Sequence, residues 1–462
     1  MGFPDSHLTR CGSAFVGKQL VQSLLSAPPD QHINLPLEQP IYSLSKIFDQ
    51  PLLRYALAIG GPISAAGVQF ILAYVLLHTV DAFSFGVFSF YQLVIQLTLG
   101  ISSALYCAPL AHDFNQEAGY DDLIYKTSAL LFATLTSAIL CASLSLSADP
   151  TSGIAVGLFA FFAHLRWFAR ALAYVELDWH KSFHSDLVFA LSLASVGLWL
   201  VWDNHLSLST TFAAYAFAAG VSLVPFGFGA LLVDARSSRF HHLRDYSRVW
   251  KKYSRHALLG VITTEATSNA HAYMITLLSG ASAYAPIAAA GLVIRPITLC
   301  ANAITDIERP RIAQEVERSS EKLSHSLTTF RAILFAGWLA SAGLLYLVAC
   351  QRPNLIFGGY DFAMMIHASS IWLVISLFRS LARPESVLLQ ATGQFEILAT
   401  ANVFGGAVSV ISCGLLFLVY GSVASLYGIL LGDLTAALMT WSRGRAWQKL
   451  FLQQRVHRQP PS

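Results

Sequence analysis

Apolar residues along this chain come in long unbroken runs, with polar residues gathered between them. A bilayer's hydrocarbon core takes about 20 apolar residues of helix, and twelve stretches qualify. They lie near 55–77, 85–110, 127–147, 153–174, 186–202, 210–233, 257–279, 283–305, 332–349, 363–383, 398–420 and 422–441. The fifth is the shortest and ends in Leu198, Trp199 and Trp202, residues suited to a membrane interface. Gly60, Gly61, Pro62, Pro286 and Pro296 fall inside spans. Membrane helices tolerate such residues where neighbours satisfy the freed backbone groups.

The charges sharpen this pattern. Twenty-seven of the 29 Lys and Arg residues fall in one set of alternating segments. One, Arg352, falls in the other set, and Arg295 sits within a span. A wrong number of spans would scramble the alternation. By the positive-inside rule both termini are expected in the cytoplasm, with the chain a multi-pass protein of the cytoplasmic membrane. Residues 1–54 lack the basic start and apolar core of a secretory signal and read as a cytosolic tail; 442–462 read as a second one.

Composition agrees. Hydrophobic residues make up 55% and charged residues 12%, about half the charged share of a soluble domain. A soluble enzyme of 462 residues would need far more charged surface. A disordered chain and a nucleic-acid binder are excluded with it. The six cysteines occur singly, with no metal-ligand spacing, and read as small packed side chains. No metal, cofactor or catalytic motif is expected.

Twelve spans divide into two halves of six, 55–233 and 257–441. A weak echo supports the division. Leu93-Val94-Ile95-Gln96 in the second span resembles Leu292-Val293-Ile294-Arg295 in the eighth, and a proline follows each, Pro109 and Pro310. The segment between the halves, 234–256, is the most basic. There Leu243, Tyr246, Trp250 and Tyr253 recur at helical spacing, with Arg244, Arg248, Lys251, Lys252 and Arg255 on other faces. This predicts a basic amphipathic helix on the inner leaflet, held by anionic membrane lipids.

Ionisable groups at membrane depth are costly, which makes them functional candidates. Three stand out: Glu265, Arg295 and Asp433. The seventh and eighth spans should form a hairpin turning near Gly280-Ala281. Glu265 is then level with position 297, which leaves Arg295 within about 3 Å along the axis. A Glu265–Arg295 pair is expected, either fastening two helices or holding an anion-attracting arginine. Glu265, Asn269, Tyr273 and Thr276 form a polar stripe that should face a wet interior. Gln69, Gln92 and Gln96 can line the same interior or bond between helices. Arg166 and Arg170 share a face of the fourth span near its inner end. They either snorkel to headgroups or bind a phosphorylated lipid through their planar forks.

The run from Glu265 to Tyr273, followed by Gly280, Ala285-Pro286, Arg295-Pro296 and Glu308-Arg309-Pro310, resembles the polysaccharide-export branch of the MOP transporter superfamily. So do Leu389 to Gln394 with Gly432-Asp433, and Arg166 to Asp186. This branch includes the Wzx-type lipid-linked oligosaccharide flippases. The resemblance implies an all-α protein, twelve transmembrane helices in two six-helix lobes around a central cavity, working by alternating access. It implies a polyprenyl-diphosphate-linked glycan as cargo and other polysaccharide-export proteins as partners. Arg295 would receive the diphosphate. Glu265, or Asp433, would connect transport to protons. Two other readings stay open: a MATE-like cation-coupled antiporter, and a membrane glycan polymerase or ligase.

Overall fold

Long apolar runs closed by capping residues dictate where the helices lie. The computed structural model describes residues 51–114, 122–176, 178–227, 246–317, 323–352, 354 and 359–456. Among these, twelve long helices follow in order, with no strand. The first half holds α1 (Pro51–Thr79), α2 (Ala82–Ser102), α3 (Asp122–Ser147), α4 (Pro150–Val175), α5 (Trp179–Trp202) and α6 (Leu208–Val221). The second holds α7 (Arg255–Ser279), α8 (Ala281–Glu317), α9 (Leu323–Gln351), α10 (Phe362–Ala391), α11 (Phe395–Tyr420) and α12 (Ser425–Val456).

Five helix starts carry a side chain that accepts an orphan backbone N–H. Asp81 caps α2, Asp149 caps α4, Asp178 caps α5, Ser207 caps α6 and Asp361 caps α10. The hydrogen bond from Ser152 holds the Asp149 carboxyl below the usual carboxylate range. Ten helices are apolar and long enough to cross a membrane by length and composition alone. The two that fall short, α7 and α12, carry the polar stripe and Asp433.

The two lobes are α1–α6 and α7–α12. In the first, α4 packs on α3 and α6, and α5 on α6. In the second, α12 packs on α11 and α10, α7 on α11, and α8 on α10. The lobes meet where α2 lies against α8 and α7. Buried side chains from α1, α2, α4, α5 and α6 run into those of α7, α8 and α10 as one apolar core.

Several boundaries move. The sixth span ends at Val221, well short of 233, and residues 228–245 lie outside the described residues. So do most of the N-terminal tail, His241-His242, and the first part of the basic amphipathic segment with Leu243 and Arg244. Its remainder is helical, with a π turn at Trp250–Ser254. The fifth helix begins at Trp179 rather than 186, since Asp178 caps it there. The tenth runs through Pro384 to Ala391.

Candidate functional site

Where α2 meets α8, the two lobes enclose a cavity of about 230 Å³. From the first lobe, Gln69 on α1 and Gln92 and Gln96 on α2 line it. From the second come Asn269 and His271 on α7, Arg295 on α8 and Trp372 on α10. The two copies of the sequence echo thus meet: Gln96 and Arg295 hold the same place in their motifs, and both line the cavity. Ile95 and Ile294, one residue earlier in each, are buried.

The cavity's lining is electrostatically one-sided. Arg295 is half-buried, and among the described residues no carboxylate pairs with it. Among the described residues no Asp or Glu lines the cavity. The amide nitrogen of Gln92, Nε1 of Trp372 and Nδ1 of His271 are buried there without a protein partner. Trp372 Nε1 and the glutamine nitrogen can only donate. His271 is packed edge-on to Trp372, ring centroids 5.4 Å apart, and beside Tyr284 at 6.2 Å. A ring of donors around a guanidinium suits an anionic, oxygen-rich guest.

The expected Glu265–Arg295 pair does not form. The α7–α8 hairpin does turn at Gly280, which sets equal depth, but pairing also needs the two side chains to point at each other. Glu265 instead accepts a hydrogen bond from Tyr273 Oη at 2.6 Å, two turns along its own helix. The Tyr273 ring in turn meets Phe90 of α2 edge-on at 5.9 Å. The polar stripe therefore divides: Asn269 lines the cavity, while Glu265 and Tyr273 engage each other.

Arg166 and Arg170 stand apart from the cavity. Both bind Asp186 of α5, at 2.5 and 3.0 Å, and Asp186 is 1% exposed. Ser185 Oγ accepts from Arg166 Nε at 3.2 Å, and the Phe189 ring lies 4.4 Å beneath that guanidinium. Gly61 of α1 closes the site, since a Cβ there would fall 2.8 Å from a carboxylate oxygen of Asp186. Asp433 is likewise occupied, accepting from Arg379 Nη2 at 2.7 Å and Nε at 3.0 Å.

Asp186, Arg379, His271 and Trp372 are the residues that sequence reasoning missed as site or ion-pair members. Asp186 has a legible signal: with Asp178 as cap it lies two turns inside α5, where a lone acid needs a cation. His271 and Trp372 carry none, because nothing in their spacing says which wall they face.

Beside the cavity, α1, α8 and α9 frame an apolar cleft of about 330 Å³, lined by Phe70, Tyr74, Leu292, Pro296 and Leu344 among others. Leu292 borders both spaces.

No family model and no curated protein matches the sequence. Solved structures do match. An outward-facing multidrug resistance MATE family transporter of the MOP superfamily superposes with a TM-score of 0.55 at 16% identity, over 90% of this chain and 100% of that one. The eukaryotic MATE transporter AtDTX14 gives 0.58 at 14% identity, over 87% and 98%. The lipid II flippase MurJ, in an inward closed conformation, gives 0.62 at 8% identity, over 83% and 86%. The chain has the fold of these membrane proteins.

Proposed function

We propose that this protein is a flippase that carries a polyprenyl-diphosphate-linked oligosaccharide across the cytoplasmic membrane by alternating access, with both termini in the cytoplasm. The observation that carries this reading is the junction at Leu292. On one side lies a polar cavity with an uncompensated guanidinium, and on the other an apolar cleft between lobes. A lipid-linked glycan has these two halves. Its diphosphate would meet Arg295, its sugars the amides of Gln69, Gln92, Gln96 and Asn269, and its prenyl tail the cleft. A glycan cannot cross about 30 Å of hydrocarbon unaided, and such a junction lets the tail stay in lipid while the head passes.

The cavity's charge argues against a cationic drug as cargo. A cation would meet Arg295 with no acid to offset it, and like charge across a site disfavours binding. Glu265, tethered by Tyr273 and one turn from cavity-lining Asn269, is the site we assign to proton coupling. Asp433 serves as a second candidate through its pair with Arg379. Other polysaccharide-export proteins would supply and accept the cargo.

The test is Arg295→Ala in cells that depend on this protein for glycan export. Losing a charge-assisted contact should lower export at least about ten-fold, with lipid-linked glycan accumulating on the cytosolic face and membrane levels of the protein unchanged. Undiminished export by the well-expressed variant would overturn the assignment.

A further inference from the structure

A further concave site lies within the second lobe. Where α9, α10 and α12 come together at the end of the molecule rich in Lys and Arg, they leave an apolar pocket of about 190 Å³. Phe378 and Ala382 of α10, Leu438 and Trp441 of α12, and Arg331 of α9 line it. It shares no residue with the central cavity or the cleft. Arg331 and Trp441 stand where the apolar runs of α9 and α12 meet polar sequence. Tryptophan and arginine at such a boundary mark the headgroup level. By that rule the pocket is expected to open toward acyl chains, with its rim at the level of the phosphates.

The rim carries more positive charge than the protein neutralises. Arg331 donates through Nη2 to Glu385, whose side chain is 4% exposed. That leaves Arg331 Nε buried with no protein acceptor. One turn past Trp441, Arg445 lays its guanidinium over the indole, 3.9 Å from the ring centroid. Two guanidiniums face one carboxylate, an excess of one positive charge beside a hollow of hydrocarbon character.

We propose that this pocket binds one anionic phospholipid from the leaflet at the basic end. Its phosphate is held by Arg331 and Arg445, its glycerol lies against Trp441, and an acyl arm lies along Phe378 and Leu438. Charge complementarity selects the class: the ammonium of a zwitterionic headgroup would be set beside Arg445, whereas phosphatidylglycerol brings no cation. The separation from cavity and cleft makes the guest a resident lipid and not the cargo, whatever the central cavity carries. One lipid there would bridge α9 and α12 across α10.

The test uses the delipidated full chain in detergent, titrated with phosphatidylglycerol or phosphatidylcholine and read by native mass spectrometry. The expected result is one phosphatidylglycerol retained roughly ten-fold more tightly than phosphatidylcholine, the effect of one charge-assisted contact. Arg445→Gln should shrink that ratio toward one. Arg331→Gln would strand Glu385 and can fail by unfolding. Ala382→Trp avoids this, filling the pocket without touching either arginine, and should abolish the adduct. Equal retention of the two lipids, an adduct unaffected by Ala382→Trp, or displacement by an equimolar polyprenyl phosphate would each overturn the proposal.

Discussion

Four arginines near the apolar layer are held by carboxylates. Arg166 and Arg170 share Asp186, Arg379 holds Asp433, and Arg331 holds Glu385. Arg295 meets a cavity instead. A buried pair need not add much stability as a whole, but deleting one member leaves the other charge stranded, at about 3–5 kcal/mol. Asp186→Ala should therefore lower thermal stability in detergent by that order, because two guanidiniums lose their carboxylate. Arg295→Ala should leave the melting temperature nearly unchanged, since no carboxylate depends on it. Equal melting shifts in the two variants would contradict this division between structural and free arginines.

At the scale of elements, α2 and α8 make the junction of the lobes, and close backbone approach is what permits it. Gly86 faces the start of α8, where a Cβ would collide with the Ala281 carbonyl. At its other end α2 passes into a π turn, Ser103–Cys107, before continuing as Ala108–Phe114. Such turns displace the regular ladder. Here the Leu105 carbonyl accepts from Tyr246 Oη at 2.7 Å and Ser254 Oγ at 2.8 Å, both ahead of α7. Trp167 Nε1 donates to Ser103 Oγ at 2.7 Å and ties α4 to the same turn. Gly86→Val should force α2 away from α8, with a penalty of about 1–3 kcal/mol or more. A lowered unfolding temperature would register it; a wild-type value would show that the contact is dispensable.

For the whole molecule, the lobes touch on both sides of the cavity. Gly86 and Ala281 meet at one end. At the other, a Cβ on Gly100 would lie 3.2 Å from Val261 Cγ1. The alternating access proposed above requires two states of similar free energy, and under it each state would open one of these contacts. A cysteine pair at positions 100 and 261 places two thiols where an added Cβ would meet the Val261 side chain. Oxidation of this double variant should stop transport, and reductant should restore it. Continued transport with the crosslink complete would rule out opening at that end.

The number, order and approximate limits of the helices were legible from the chain alone. So was the Gly280 hairpin, because the cost of leaving a backbone or polar group in hydrocarbon is local and a run of apolar residues reports it directly. The placing of Arg295 and Glu265 on neighbouring helices joined by that turn was legible too. Rotation about the helix axis was not. It is fixed by which ridges pack against which neighbours, and that sent Glu265 to Tyr273, gave Asp186 to two arginines and left Arg295 facing the cavity. Apolar runs specify that a helix crosses a membrane; only the packed set of helices decides which of its faces meets protein, lipid or water.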